Sequence, residues 1–112
     1  MKKTVFLYSG EGTHSAETGF KLLQHSRYWV EIETILREKM NLELEALWDR
    51  EIGRHRCPYS PLLTVVSQIC LGDLWRRWGY HPDVVIGHST GELAAAHQAG
   101  FFSLEEVLML AQ

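Results

Sequence analysis

A β-branched apolar run, Val84-Val85-Ile86, leads straight into Gly87-His88-Ser89-Thr90-Gly91-Glu92, and an alanine-rich stretch follows. No other stretch constrains the fold of this chain as tightly. A short, continuously apolar run fits a buried strand, and Ala94, Ala95, Ala96 and Ala99 fit a helix lying close over it. Between them, the Gly-x-Ser-x-Gly spacing is the sequence form of a nucleophile elbow, a tight strand-to-helix turn that holds a serine clear of its neighbours. Gly87 and Gly91 stand two residues either side of Ser89, where a Cβ would crowd the bend. The turn sets Ser89 at a helix N-terminus, whose free N–H groups favour negative charge. An oxyanion formed on an attacked carbonyl develops in that field, with the Thr90 N–H as donor. Ser89 is therefore the candidate nucleophile, and a purely structural turn is the alternative.

Length and composition set the frame for this motif. At 112 residues the chain is at most one domain, and 46% apolar residues with four Trp predict a folded core. A net charge of −3 gives no reason to expect nucleic acid or an anionic membrane as partner. Cys57 and Cys70 form no CxxC pair and have no ligand-like spacing to a histidine, so two reduced thiols and no metal site are expected. No apolar run is long enough to span a bilayer. The basic start Met1-Lys2-Lys3 is followed by too short an apolar run for a signal peptide, and a cytoplasmic location is the expectation.

In chain order, Val5-Phe6-Leu7-Tyr8 reads as a first strand, covered on both faces as in a parallel sheet, and ended by Ser9-Gly10-Glu11-Gly12. Gly10-x-Gly12-x-x-Ser15 lacks the third glycine of a dinucleotide fingerprint. A permissive loop here serves better to bring backbone N–H groups close to a reacting atom. Residues 15–24 predict a short helix with Phe20, Leu22 and Leu23 inward, and residues 28–40 an amphipathic one on Trp29, Ile32, Ile35, Leu36 and Met40. Asn41 interrupts, and Leu42, Leu44, Leu47 and Trp48 predict another short helix. Arg54-His55-Arg56 reads as a surface loop rather than a phosphate site. Ser60-Pro61 predicts an N-cap and first helical residue, Leu62, Val65, Val66, Ile69, Leu74 and Trp78 an apolar side, and Gly79 the helix end. Arg76 and Arg77 are expected to snorkel beside core tryptophans Trp75 and Trp78. Ser103-x-x-Glu106 is a capping box opening a last helix with Leu104, Val107, Leu108 and Leu110.

Two short strands are few for a parallel sheet, so the chain is expected to be the front part of a larger α/β domain or a subunit completed by another chain. A serine hydroxyl also needs a base. His88 adjoins Ser89, but neighbours on a sharp turn point apart. His97 lies two helical turns on, and His14 in the glycine loop is a weak candidate. The expectation is that the base lies outside this sequence.

Three motifs in order give the chain a family likeness. Residues 5–14, the strand and its Ser9-Gly10-Glu11-Gly12 loop, are similar to the opening Pro-Gly-Gln-Gly segment of the malonyl-CoA:acyl carrier protein transacylase (acyltransferase) family of fatty acid and polyketide synthesis. Residues 59–63 resemble its Gln-Pro helix start, with Ser60 in place of the glutamine. Residues 85–95 resemble its Gly-His-Ser-x-Gly-Glu elbow, and residues 99–107 the segment after it.

The resemblance implies the N-terminal part of a hydrolase-like acyltransferase subdomain, a partial three-layer α/β/α parallel sheet. The family's ferredoxin-like subdomain, base histidine and carboxylate-binding arginine are expected beyond Gln112. It implies ping-pong transfer of an acyl group, malonyl or related, from acyl-CoA through acyl-Ser89 to the phosphopantetheine thiol of an acyl carrier protein. No bound cofactor is implied, and the chain would sit alone or within a multidomain synthase. Glu11, at the family's glutamine, and Thr90 would form the oxyanion hole with their backbone N–H groups. Gly87, His88, Gly91 and Glu92 would support the elbow, and Gly10 and Gly12 the loop. An extra carboxylate at Glu11 is awkward for a negatively charged malonyl group. The chain alone is expected to turn over poorly. An α/β-hydrolase esterase or thioesterase, which shares the elbow, and a non-catalytic docking module are the alternatives.

Overall fold

The two apolar runs pair side by side. Val5 lies opposite Val84, Phe6 opposite Val85, Leu7 opposite Ile86 and Tyr8 opposite Gly87, in parallel register. This register puts the chain leaving Tyr8 next to the chain leaving Gly87, so the glycine loop and the elbow open at the same sheet edge. The computed structural model describes residues 3–10, 16–51 and 58–112. Among them the order is β1 (Val5–Tyr8), α1 (Ala16–Leu23), α2 (Trp29–Met40), α3 (Leu44–Glu51), α4 (Ser60–Arg77), β2 (Val84–Gly87), α5 (Gly91–Gln98) and α6 (Leu104–Leu110). Parallel strands need a long crossover, and the four helices between β1 and β2 supply it. The opposite end of the pair is closed by Thr4, whose N–H donates to Asp83 Oδ2 at 2.8 Å while its carbonyl accepts from the Asp83 N–H at 2.8 Å.

The α/β parallel architecture is the expected one, with the helices on one face of the sheet. Tyr8 is buried, and Phe6 and Val85 pack partly buried against the helical core. The other face stays open among the described residues: Leu7 is 72% exposed, and Val5, Val84 and Ile86 are also exposed. The expectation of cover on both faces is therefore not met by these residues.

α4 is the spine of the core. Leu62, Leu63, Thr64, Val65, Val66 and Cys70 are fully buried, each large aliphatic side chain contributing about 1.5–3 kcal/mol of transfer free energy. Ser60 does not cap this helix as expected. The helix already includes it, Tyr59 precedes it without a side-chain cap bond, and Ser60 is buried. The C-terminal reading holds: Gly79 has φ +99°, and the N–H groups of Gly79 and Tyr80 donate to Arg76 and Trp75 carbonyls at 3.0 Å. Such a left-handed stop satisfies the last carbonyls of the helix.

Four inward assignments are corrected. Trp75 and Trp78 are 43% and 55% exposed, not core residues. They stack edge-on, 5.5 Å between ring centroids, and Trp75 meets Tyr80 in the same way at 5.3 Å. A surface aromatic cluster thus replaces the expected core pair, because α4 has already turned its buried side to Leu74. Leu22 and Leu110 are likewise exposed, whereas Leu23, Leu104, Val107 and Leu108 are buried. The Ser103–Glu106 capping box forms in both directions, with Glu106 N–H to Ser103 Oγ at 3.2 Å and Ser103 N–H to Glu106 Oε1 at 3.1 Å. The carboxyl of Glu106 is held below its ordinary range chiefly by the backbone bond from Ser103.

One buried carboxylate locks the α1–α2 corner to α4. Asp73, 3% exposed, accepts from Ser26 Oγ and from the Arg27 N–H at 3.0 Å each, and pairs with Arg27 Nε at 3.1 Å. Cys70, one turn away, has its thiol pushed up to about 12 by burial and stays protonated. Removing Asp73 orphans a buried hydroxyl and a partly buried N–H while leaving Arg27 free to hydrate. Asp73→Ala is expected to lower unfolding free energy by about 2–3 kcal/mol, and Asp73→Asn by less, read from urea midpoints at constant m.

Candidate active site

The elbow is built by steric necessity at its two glycines. A Cβ on Gly87 would overlap the Gly91 carbonyl and lie 2.6 Å from Glu92 Cα and N. A Cβ on Gly91 would overlap the Tyr8 carbonyl and lie 2.5 Å from that of Ser9. Between them Ser89 adopts φ +55°, a left-handed conformation that costs an L-residue about 1–2 kcal/mol. Strain of this kind persists only where the surroundings over-determine it. Here they do: the His88 N–H is tied to the Tyr8 carbonyl at 2.9 Å, the Gly91 N–H to the His88 carbonyl at 2.9 Å, and the Glu92 N–H to the Ser89 carbonyl at 3.0 Å.

The result is an exposed serine at the N-terminal end of α5. The N–H groups of Gly91, Glu92 and Leu93 all reach carbonyls within the turn, at 2.9–3.1 Å. That of Thr90 has no hydrogen-bond partner among the described residues. A free donor next to the serine is what an oxyanion needs. Ala94 and Ala95, both buried, keep α5 close to the strands, and Glu92 stands exposed at its first turn, where the helix dipole favours a carboxylate.

The loop after β1 does reach the elbow. A Cβ on Gly10 would sit 3.3 Å from His88 Nδ1 and 3.7 Å from Ser89 Cβ, so Gly10 packs directly on both. Glu11, Gly12 and His14 lie outside the described residues, as do Arg54, His55, Arg56 and Cys57. His97 is packed edge-on against Tyr28, 5.5 Å between centroids, and burial lowers its pKa. No histidine side chain is hydrogen-bonded to Ser89 among the described residues. None of the described residues forms a metal-ligand cluster, and none of the described helices is long and apolar enough to cross a membrane.

Sequence reasoning missed one residue of this neighbourhood. Gln68 on α4 donates from Nε2 to the Ser9 carbonyl at 2.6 Å. The only signal for it was a polar pair, Ser67-Gln68, interrupting an otherwise apolar helix.

This geometry has relatives. The family model of the acyl transferase domain matches residues 5–112. The chain belongs to the acyl transferase domain family. Its acyltransferase kinship extends to a highly reducing polyketide synthase of Aspergillus nomiae, 33% identical over 97% of this chain and 5% of the relative. A non-reducing polyketide synthase of Gibberella zeae is 37% identical over 95% of this chain and 6% of its own length. Among solved structures, the acyl transferase domain of ZmaA superposes with a TM-score of 0.82 at 25% identity, covering 97% of this chain and 28% of that one. The malonyl-CoA:ACP transacylase of Synechocystis does so with a TM-score of 0.75 at 25% identity, covering 98% and 38%. The chain thus spans a small part of the polyketide synthases and about a third of the solved chains it matches.

Proposed function

We propose that Ser89 is the acyl-accepting nucleophile of a transfer from acyl-CoA to the phosphopantetheine thiol of an acyl carrier protein. The observation that carries this reading is the left-handed Ser89, exposed at the sheet edge, with Gly10 packed against it and a free Thr90 N–H beside it. In the first half-reaction Ser89 Oγ bonds to the thioester carbon and its proton passes to a base. The carbonyl oxygen becomes an oxyanion facing the Thr90 N–H and, in this proposal, the Glu11 N–H of the neighbouring loop. Collapse breaks the C–S bond, and CoA leaves as its thiol with the proton returned. In the second half the carrier thiol attacks the acyl-serine ester and regenerates the hydroxyl, so no net proton or electron is consumed. Kinship to polyketide synthases and to a malonyl-CoA:ACP transacylase supports malonyl or a related group as cargo. No described histidine is hydrogen-bonded to Ser89, so in this proposal the base that takes its proton comes from outside the described residues.

The test is incubation of the natural full-length protein with malonyl-, methylmalonyl- and acetyl-CoA, followed by intact mass and peptide mapping. A mass increment of one acyl group on the peptide containing Ser89 is expected, discharged on adding a phosphopantetheinylated carrier protein. An increment lost to water at the same rate with and without carrier would instead support a thioesterase.

A further inference from the structure

We propose that Gln68 is a positioning residue for acyl transfer at Ser89: its carboxamide holds the Ser9 carbonyl, and with it the Ser9–Gly10 backbone, against the elbow. The proposal rests on the acyltransferase reading of Ser89.

Three anchors define the path of the chain leaving β1. The Tyr8 carbonyl takes the His88 N–H, and this is the last backbone bond between the two strand ends. The Ser9 carbonyl lies past the end of the ladder, against the Cα of Gly91, and its hydrogen-bond donor among the described residues is Gln68 Nε2. Gly10 then rests on His88 and Ser89. Gln68 is thus the one side-chain tether between the core helix α4 and the loop that touches the nucleophile, among the described residues. A tether rooted in α4 is rooted in the most fully buried of the described elements, flanked by Val65, Val66 and Ile69.

Stability alone does not account for this amide. Gln68 Oε1 is buried and has no hydrogen-bond partner among the described residues. A desolvated, unpaired acceptor costs about 1–3 kcal/mol, as much as or more than the single bond from Nε2 returns. An apolar side chain of similar volume would avoid the cost and leave the Ser9 carbonyl, on an exposed residue, to water. Nor does rotating the amide help, since Oε1 would then face the Ser9 carbonyl. What the carboxamide contributes beyond packing is location. A carbonyl fixed to within a hydrogen-bond length fixes the peptide plane after it, and therefore where the following N–H groups point. Misplacement of such a group by about 1 Å can lower a rate by about 100-fold.

The test is single-turnover acylation of Ser89 by malonyl-CoA, read by rapid quench and intact mass, in the natural full-length protein. Two variants separate position from packing. Gln68→Met keeps volume and removes the donor; Gln68→His keeps an N–H of similar reach. Gln68→Met is expected to melt at or above the wild-type temperature yet acylate at least about tenfold more slowly, with the half-saturating malonyl-CoA concentration within about twofold. Gln68→His is expected to recover most of the rate. The proposal is overturned if folded Gln68→Met acylates within about twofold of wild type, or if Gln68→His is as slow as Gln68→Met. It is equally overturned if rate, half-saturation and melting temperature all decline together in Gln68→Met, which marks a structural role. Absence of adduct in the wild type, or an adduct surviving Ser89→Ala, sinks the Ser89 reading instead.

Discussion

Ser89→Ala is expected to abolish the acyl adduct and to lower transfer by at least about 10³-fold, with the fold intact. No neighbouring hydroxyl can substitute, because the elbow presents one side chain at its apex, and Thr90 already lies in helical conformation with φ −56°. The strain at this position supplies a second, independent reading. Alanine at φ +55° keeps the left-handed cost, whereas glycine relieves it. Ser89→Gly should therefore unfold at higher denaturant than Ser89→Ala, by about 1 kcal/mol, although both are inactive. Greater stability in the catalytically dead glycine variant is the mark of a site that holds strain for its chemistry. If Ser89→Ala still accumulates adduct on the same peptide, the nucleophile has been misassigned; if the two variants are equally stable, the turn is not strained in solution.

The elbow was legible because its requirements are local. Gly87, Gly91 and the apolar run before them each answer a steric demand within a few residues, so spacing alone carries the geometry. Helix ends were legible for the same reason: Gly79 and the Ser103–Glu106 pair satisfy orphan backbone groups of their own helix. Ser60 misled because Ser-Pro suits two neighbouring helix-start positions, and burial of Ser60 decided between them. Trp75 and Trp78 misled differently. Their size argues for the core, but on an 18-residue helix that is buried over most of its length, periodicity no longer tells which side faces water. Gln68 and Asp73 were illegible in principle. Their partners Ser9 and Ser26 stand 59 and 47 residues away, and only the fold brings them within hydrogen-bond reach.

Gly91→Ala is expected to be the most damaging single methyl in the chain's described part. The added Cβ would overlap the Tyr8 carbonyl and press on the Ser9 carbonyl at 2.5 Å, and both are backbone atoms, the first held by the His88 N–H and the second by Gln68. No side chain can swing aside, so β1 and α5 must separate, breaking the bond from the His88 N–H to Tyr8. Overpacking costs about 1–3 kcal/mol when side chains can adjust; a clash with two successive backbone carbonyls belongs at or above the top of that range. Gly79→Ala is the control for the other penalty that alanine brings. Its Cβ meets nothing within 4 Å, but φ +99° is unfavourable, so about 1 kcal/mol of backbone cost is expected. Gly72→Ala supplies the third case: its Cβ meets only the Tyr8 hydroxyl, at 3.0 Å, the end of a side chain that can tilt. Urea midpoints should therefore fall most for Gly91→Ala and much less for the other two. The functional consequence is as selective, because only the clash at Gly91 drives Ser9 and Gly10 away from Ser89. Whatever fraction of Gly91→Ala remains folded should acylate far more slowly than Gly79→Ala at equal folded population. Equal rates per folded molecule would mean that the approach of the β1 loop to the elbow is a matter of packing and not of catalysis.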